Sequence, residues 1–479
     1  MAIQVKEKTY WVGVQDWNLR EFHGPTFHVP NGTTYNAYLI LDEQITLIDI
    51  VEHDFFDLFY EKVVSLIGDK PIHNLIINHT EPDHSSSFKK LLEKYPDINV
   101  YCSKKGAEFM DKQYGIEYGK YNIVGSGNKL SIGKNVLSFI DMKMLHWPDS
   151  IATYMEEEKI LFSNDAFGQH VVSTKVFDEA HRLDTVLYEA KKYYANIIMP
   201  MAGILSKKME EITRMNLEID IIAPSHGIIW RKYVNEILEK YFEWSTWKTK
   251  EKVVIAYDTM WGNTEKMAFA LAKGFQNANM QVKLYKVSKS DVNEIMTDIV
   301  DARAVLIGSS TIYGGMIANI AYLLEEIRVL KPNEKVGFAF GSNGWAKGAV
   351  PRIESMLLEV GFKLFNDGVN TNFLPTKEEI EKLESIAFEM SRSIRNDING
   401  EREIYIEICE KCHAKEFITL RDLAYNGGYV LHVKYACLFH CGSETIFCKY
   451  NEEIIGASDV ESLWKTILEK HAIVLKQGY

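Results

Sequence analysis

The chain has 479 residues, 46% hydrophobic and 25% charged, with a formal net charge of −12 at pH 7. That length exceeds one hydrophobic core and predicts roughly two to four domains, while the ordinary balance of apolar and charged residues excludes a largely disordered or fibrous chain. The acidic balance argues against broad nucleic-acid binding and against an anionic membrane surface, so neither nucleic acid nor membrane is expected as a partner.

The start, Met1-Ala2-Ile3-Gln4-Val5-Lys6-Glu7-Lys8, lacks the apolar core of a signal peptide, and no long uncharged apolar run follows. A cytoplasmic location is therefore expected. Residues 1–249 alternate short apolar runs with turn signals, predicting strands at 36–41, 45–50 and 75–78. Helical periodicity at 55–66 and 87–95 makes this a layered domain of mixed α and β elements. The basic, hydroxyl-bearing stretch 244–252 closes it.

From Val253 strands and helices alternate strictly, which predicts a parallel sheet covered on both faces across a second domain, 250–398. The expected strands are 253–257, 282–287, 305–308, 336–340 and a weaker one at 363–369. The expected helices are 264–278, 317–330, 349–359 and 377–397. After Asn399-Gly400, residues 399–479 predict a small accessory domain with little core of its own.

In the first domain, His79-Thr80-Glu81-Pro82-Asp83-His84 places His79, Glu81, Asp83 and His84 directly after an apolar run. His146, Asp165 and His226 each follow a further strand-like run. A single histidine after a strand is ordinary packing, but this many ligand-type residues at strand ends can converge on one site. Imidazole suits iron or zinc, and carboxylates can bridge two cations, so the mixture points to a pair of transition metals.

In the second domain, strand 253–257 leads into Thr259, Met260, Trp261, Gly262, Asn263 and Thr264, a hydroxyl- and glycine-bearing loop opening a helix. Such a loop offers N–H groups and a helix N-terminus to a phosphate. The lysine of a nucleoside triphosphate loop is absent, so one phosphate fits, as in flavin mononucleotide (FMN). Two more strand ends carry Ser310, Thr311, Ile312, Tyr313 and Gly314, and Ser342, Asn343, Gly344 and Trp345. In an open α/β sheet these loops meet at the switch point, where Trp261, Tyr313 and Trp345 can border an isoalloxazine ring.

In the third segment, Cys409-Glu410-Lys411-Cys412-His413 matches the haem-attachment pattern, but covalent haem requires an export route. Cys409 and Cys412 with Cys437 and Cys441 predict instead a four-thiolate zinc or iron site that staples a small domain, with His413, His440 or Cys448 as substitute ligands. Reduced, buried cysteines are the alternative.

The His-x-Glu-x-Asp-His element resembles the His-x-His-x-Asp-His element of the metallo-β-lactamase fold, with Glu81 replacing a histidine. With the flavodoxin-like segment behind it, the chain resembles the flavodiiron proteins over residues 1 to 398. Gly32-Thr33-Thr34-Tyr35-Asn36-Ala37-Tyr38-Leu39, His146-Trp147-Pro148-Asp149-Ser150, Ser163-Asn164-Asp165-Ala166-Phe167-Gly168 and Ala190-Lys191-Lys192-Tyr193-Tyr194-Ala195-Asn196 add to the match. The resemblance implies a metallo-β-lactamase-like αββα sandwich, then a flavodoxin-like doubly wound parallel sheet, then the small C-terminal domain. It implies His79, Glu81 and His146 on one iron, Asp83, His84 and His226 on the other, and Asp165 as the bridge. It further implies FMN, reduction of dioxygen to water or of nitric oxide to nitrous oxide, and a donor such as rubredoxin, reduced deazaflavin or another flavoprotein. A head-to-tail homodimer or a dimer of dimers is also implied, with Trp147 bordering the partner's flavin and His23, His170 and Tyr193 around the metals.

The chain departs from the family at Ser310, where proline is common, and near Tyr313, where asparagine is common. The Cys-Pro-x-Cys-Gly knuckles of a rubredoxin are absent. The rival readings are a zinc hydrolase and a non-catalytic flavin electron carrier.

Overall fold

The structure is a computed structural model that describes residues 1–115, 120–399, 403–426, 429–436, 438, 445–451 and 453–477. It divides into two compact units, Met1–Thr249 with Val254–Ala268 and Lys283–Pro375, and Lys250–Val253 with Phe269–Val282 and Thr376–Tyr479.

Within the first unit, a seven-stranded sheet runs Ile3–Gln4, Thr9–Trp11, Tyr38–Ile40, Thr46–Ile48, Asn74–Ile77, Asn99–Cys102, Tyr121–Ile123. A five-stranded sheet runs Lys129–Ser131, Val136–Asp141, Ile151–Met155, Ile160–Asn164, Ile221–Pro224. Period-two alternation decides how they stack. Tyr38, Ile40, Ile48 and Ile76 share a core with Phe139, Ile151, Ile160 and Phe162 of the other sheet. The intervening Leu39, Leu47, Leu75 and Ile77 face Phe59, Val63, Phe88 and Leu91 of the helices. On the far side, Tyr154, Leu161 and Ile222 pack with Val186, Leu205 and Ile237 of helices Leu183–Tyr193, Ala202–Arg214 and Val234–Ser245. Two sheets between helical layers is the αββα order. Expected strand 36–41 shortens to Tyr38–Ile40: the Asn36 backbone N–H donates to the Ser225 carbonyl at 2.8 Å and not to the ladder, and its side-chain amide donates to the Pro224 and Gly227 carbonyls at 2.9 and 3.1 Å.

A six-stranded sheet has the order Gln281–Lys286, Lys250–Asp258, Ala302–Ser309, Val336–Asn343, Lys363–Leu364, with Val369–Asn372 also pairing with Val336–Asn343. Second strand, first, third, fourth, fifth is the flavodoxin-like order. The expected strand at 363–369 is thus two pieces. Its break has a local cause: the Gly368 N–H donates to the Glu354 carboxylate at 2.6 Å instead of to the ladder.

Within residues 250–398 one helix goes beyond the sequence expectation, Val292–Val300, capped by the Asp291 side chain. Its apolar residues Val292, Ile295, Met296, Ile299 and Val300 follow the helical period, so the stripe was there to read, although burial extends to Asn293, Thr297 and Asp298 on its polar side as well. It matters for the site. Buried Asn293 accepts from the His28 N–H at 2.9 Å and donates to the Thr26 carbonyl at 3.0 Å, which anchors the segment carrying His23.

In the second unit, strands Val430–Tyr435, Glu403–Ile408, Ile446–Tyr450 and Glu453–Ala457 form a four-stranded sheet in that order. Ile404, Ile406, Leu420, Ile446, Ile455, Leu463, Trp464 and Ile467 make a core with helices Glu410–Asn426 and Val460–Gln477. The sequence led us to expect little core there; the described residues bury one of aliphatic and aromatic side chains. Cys448 belongs to that core, and burial pushes its thiol up to about 12. Cys409 is buried as well. Cys437, His440 and Cys441 lie outside the described residues, as do the side chains of Cys412 and His413.

Candidate functional site

The candidate metal ligands come from four strand ends of the αββα sandwich. His79 lies just past Asn74–Ile77, where Asn78 is held by Asp49 through its N–H (2.7 Å) and its amide (3.1 Å). Asp83 and His84 sit in a single helical turn, Pro82–Ser85, rather than in an extended strand-end loop. Proline at its first position starts that turn and brings both side chains back over the sheet. Asp165 follows Ile160–Asn164, and His226 follows Ile221–Pro224. After His226, Gly227 has φ +77, and a Cβ there would meet the Gln169 carbonyl, so this turn admits only glycine.

These residues form two groups, His79, Glu81, His146 and Asp165, and Asp83, His84 and His226, whose ligand atoms within each group lie within 4.8 Å of one another. Asp165 stands between them. Its Oδ2 lies 3.0 Å from His146 Nε2 and 3.5 Å from His79 Nε2, and its Oδ1 lies 3.2 Å from His84 Nε2 and 3.7 Å from His226 Nε2. Glu81 Oε2 approaches His79 and His146 at 3.1 and 3.2 Å, and Asp83 Oδ2 approaches His226 and His84 at 3.1 and 3.3 Å.

Further groups aim the ligands. The Asp149 carboxylate lies 3.2 Å from His79 Nδ1 and accepts from the Thr80 N–H and hydroxyl at 2.7 and 2.8 Å, so His79 Nε2 turns to the site. His226 Nδ1 lies 2.7 Å from the Thr34 carbonyl, which does the same for His226. Sequence reasoning missed Asp149 and Asp49. Asp149 was visible inside the His146-Trp147-Pro148-Asp149-Ser150 stretch, but its role depends on a fold that carries it back to His79.

The donor set fits cations. Both Asp83 oxygens, both His84 nitrogens and Asp165 Oδ1 are buried without a hydrogen-bond partner, an arrangement that is costly unless a cation sits among them. Three carboxylates facing four imidazoles give a negative site when the rings are neutral, and the mixed nitrogen and oxygen set suits iron. In the metal-free protein the charge is balanced by protons. Burial disfavours charging His84, but Asp83 and Asp165 overcome it and raise the ring to about 9; burial likewise opposes His146, and Asp165 and Glu81 raise it to about 9. Burial opposes ionisation of Glu81 and Asp165 too, yet histidine contacts hold both carboxyls well below their usual range.

A pH dependence follows. Both rings lie above their ordinary value of 6.5, so the stabilisation they give the metal-free protein is full below that value and is lost as pH rises through about 9. Metal must displace those protons. Ferrous iron or zinc added at pH 7 is expected to release protons, and apparent affinity is expected to climb from pH 6 to about 9. Indicator-dye titration checks this, and uptake with no proton release at pH 7 would contradict it.

His23, His170, Tyr193 and Trp147 all border the metal groups. His23 Nε2 lies 2.9 Å from Glu81 Oε1. The His170 ring is 5.0 Å from His226 and 4.9 Å from Tyr193. Burial, with His226 and His23 nearby, pushes His170 well below the usual histidine range, and burial with Asp165 pushes Tyr193 well above the usual phenol range, so both are neutral. Trp147 packs edge-on against His79 at 5.2 Å.

The three predicted flavin loops meet around a cavity of about 430 Å³. Met260, Trp261, Asn263, Ser310, Thr311, Ile312, Tyr313, Gly314, Ser342, Asn343, Gly344 and Trp345 line it. Thr259, Gly262 and Thr264 stand behind them. The Thr259 hydroxyl accepts from the Gly262 N–H at 3.0 Å, and buried Thr264 lies 3.0 Å from the Ser310 hydroxyl and 2.9 Å from that of Ser342, tying the loops together. Ser310, where the family commonly has proline, therefore completes this hydroxyl cluster. Helix Asn263–Asn277 opens at the cavity, a setting suited to one phosphate. Trp261, Tyr313 and Trp345 are 84%, 106% and 96% exposed, leaving their faces available to a ring system. Ala346, at the end of the third loop, also lines the cavity, as does Phe373, which sequence reasoning missed; Phe373 arrives from the interrupted last strand.

Comparison with known proteins agrees with both halves. Residues 33–227 match the ODP family beta lactamase, and residues 255–385 match the Flavodoxin family. The fold and site thus define a metal-binding lactamase-like domain joined to a flavin-binding domain. The chain is 42% identical over 393 residues to the nitric oxide reductase of Moorella thermoacetica, covering 82% of this chain and 98% of that protein. Among solved structures, the rubredoxin oxygen:oxidoreductase of Desulfovibrio gigas superposes with a TM-score of 0.81 at 34% identity, covering 83% of this chain and 100% of that one. The flavodiiron protein of Giardia intestinalis superposes with a TM-score of 0.78 at 32% identity, covering 82% and 97%. The chain belongs to the flavodiiron protein family.

Proposed function

We propose that the chain reduces dioxygen to water, nitric oxide to nitrous oxide, or both, drawing electrons from an external donor through FMN to a di-iron site. The observation that carries this reading is Asp165, whose two oxygens face two separate ligand groups in a chain that also holds three flavin-type loops. In this reading His79, Glu81 and His146 hold one iron, Asp83, His84 and His226 hold the other, and Asp165 bridges. When bound, the irons supply adjacent redox-active Lewis-acid positions, and the flavin converts between paired and single electrons. Asp149 and the Thr34 carbonyl orient His79 and His226, and His23 holds Glu81 Oε1 so that Oε2 turns inward. Tyr193, neutral and buried, packs its ring 5.9 Å from that of His226.

The loops 259–264, 310–314 and 342–345 hold FMN by its phosphate and ring. A head-to-tail homodimer or dimer of dimers is part of the proposal, supported by the exposed Trp261, Tyr313 and Trp345 at the cavity. Rubredoxin, reduced deazaflavin or another flavoprotein is the proposed donor; the name of the Desulfovibrio relative supports the first. The three-domain division 1–249, 250–398 and 399–479 is part of the proposal, supported by family matches that span 33–227 and 255–385. A cytoplasmic location is also proposed; among the described residues no helix is long and apolar enough to cross a membrane.

The test is anaerobic turnover of purified protein with each gas against a panel of donors, alongside iron and flavin analysis. A yellow protein with two irons per chain that consumes at least one gas is expected. A colourless zinc protein, or one inert to both gases with every donor, overturns the reading.

A further inference from the structure

A hairpin too small to hold itself borders the metal groups. Its strands, Glu21–Phe22 and Phe27–His28, pair with one another in a two-stranded sheet separate from both sheets of the sandwich, and an isolated two-stranded hairpin is marginal at best in water. Yet it carries three side chains of the site. His23, at its turn, places Nε2 2.9 Å from Glu81 Oε1. Phe22 sets its ring 4.4 Å from that of His170 and 5.5 Å, edge-on, from that of His226, and buried Phe27 lies 5.2 Å from His170. The two phenylalanines seat the hairpin, but apolar contact is non-directional and does not fix how the turn is oriented. His23 also holds φ +53 and ψ +46, a left-handed conformation that a residue with a Cβ keeps only under outside constraint.

That constraint comes from the other half of the chain. The Val29 N–H donates to the Arg20 carbonyl at 2.9 Å across the hairpin, so alternation turns the Thr26 carbonyl and the His28 N–H to the outer edge of strand Phe27–His28. Asn293 meets both there. Its side chain accepts from the His28 N–H at 2.9 Å and donates to the Thr26 carbonyl at 3.0 Å, as a neighbouring strand would. The amide also donates to Asn196 Oδ1 at 3.0 Å, so three contacts agree on one orientation of it. Asn293 is buried in the first turn of helix Val292–Val300, within the residues that match the Flavodoxin family. Asp291, the cap of the same helix, adds a 3.4 Å contact to the exposed His28 ring.

We propose that Asn293 is a positioning residue for the metal site: by clamping the edge of hairpin 21–28 it keeps His23 against Glu81, so that a residue of the flavin-binding half governs how firmly Glu81 is held. The proposal rests on the reading of Glu81 as a metal ligand. Asn293 acts through the hairpin, and removing it should loosen the hairpin first and the metal second.

Full-length protein loaded with iron and FMN tests this through two readings besides turnover: hydrogen exchange of residues 20–29, and the rate at which a ferrous chelator strips iron under anaerobic conditions. Asn293→Ala is expected to speed exchange there about fivefold or more, the effect of losing one or two hydrogen bonds. Iron loss should quicken about three- to tenfold, toward the lower end of what losing a direct outer partner of a ligand does. His23→Ala is expected to speed iron loss about tenfold or more. The double variant should lose iron no faster than His23→Ala alone, because both substitutions act through one contact, whereas a merely structural Asn293 would give effects that add. Asn196→Ala, which removes one acceptor of the Asn293 amide, is expected to shift both readings about twofold and carries the test if Asn293→Ala does not fold. Unsubstituted protein that takes up fewer than two irons per chain would overturn the metal reading and this inference with it. Two irons in the unsubstituted protein, with exchange or iron loss unmoved by the substitution, or with additive effects of Asn293→Ala and His23→Ala, would overturn the inference alone.

Discussion

Asp165→Asn is expected to lower gas turnover at least about 100-fold and to reduce iron content to well below two per chain, because mutating even an outer partner of a metal ligand costs about 10- to 100-fold. Asparagine has nearly the shape of aspartate but replaces one oxygen with an NH2 donor, which cannot ligate. Asp165 is 1% exposed, and each of its oxygens faces two histidines, so whichever oxygen is lost, one ligand group loses its link. The loop itself should survive. The Gly168 N–H bonds to the Asp165 backbone carbonyl at 3.0 Å, a contact the substitution leaves intact. Iron analysis, turnover and circular dichroism together check this; a variant with two irons and undiminished turnover would remove the bridging role.

Glu81→His, which recreates the hydrolase-type His-x-His-x-Asp-His element, is expected to cut reductase turnover by at least about 10-fold and to raise the zinc-to-iron ratio of protein grown with both metals. Glu81 does three things at once. Oε2 approaches His79 and His146 at 3.1 and 3.2 Å, Oε1 engages His23 at 2.9 Å, and the carboxylate supplies one of three negative charges. A neutral imidazole offers a single lone pair, leaves His23 without its acceptor and reduces the carboxylates of the donor set from three to two. Carboxylates favour the ferric state, so the loss falls on redox cycling more than on metal binding as such. Unchanged turnover with two irons would show that Glu81 does not separate this site from its hydrolytic relatives.

Much of both sites was legible because their signals are local. The motif from His79 to His84 and the three flavin-type loops are short runs whose chemistry is readable from spacing, and the structure brings each set together. Helix Val292–Val300 was missed although Val292, Ile295, Met296 and Ile299 carry the helical period, because the run is only nine residues long and short apolar runs do not separate helix from strand clearly. Asp149 and Asp49 were not legible, because an aspartate in a loop is ordinary until the fold brings it against His79 or Asn78. The core of the C-terminal sheet was not legible for a different reason: the apolar residues that form it are spread over several short elements.

The sequence by itself determined which chemistry the chain can perform: nitrogen and oxygen ligands for transition metals, hydroxyl and glycine loops for one phosphate, and a carboxylate at position 81 instead of a third motif histidine. Tertiary structure alone decided how those groups are shared. The division of six candidate ligands into two sets around Asp165, the aiming of His79 by Asp149 and the tying of three loops through Thr264, Ser310 and Ser342 all join residues from different strands. Spacing along the chain is blind to such contacts, since sheet packing, and not sequence separation, sets the distance between strand ends.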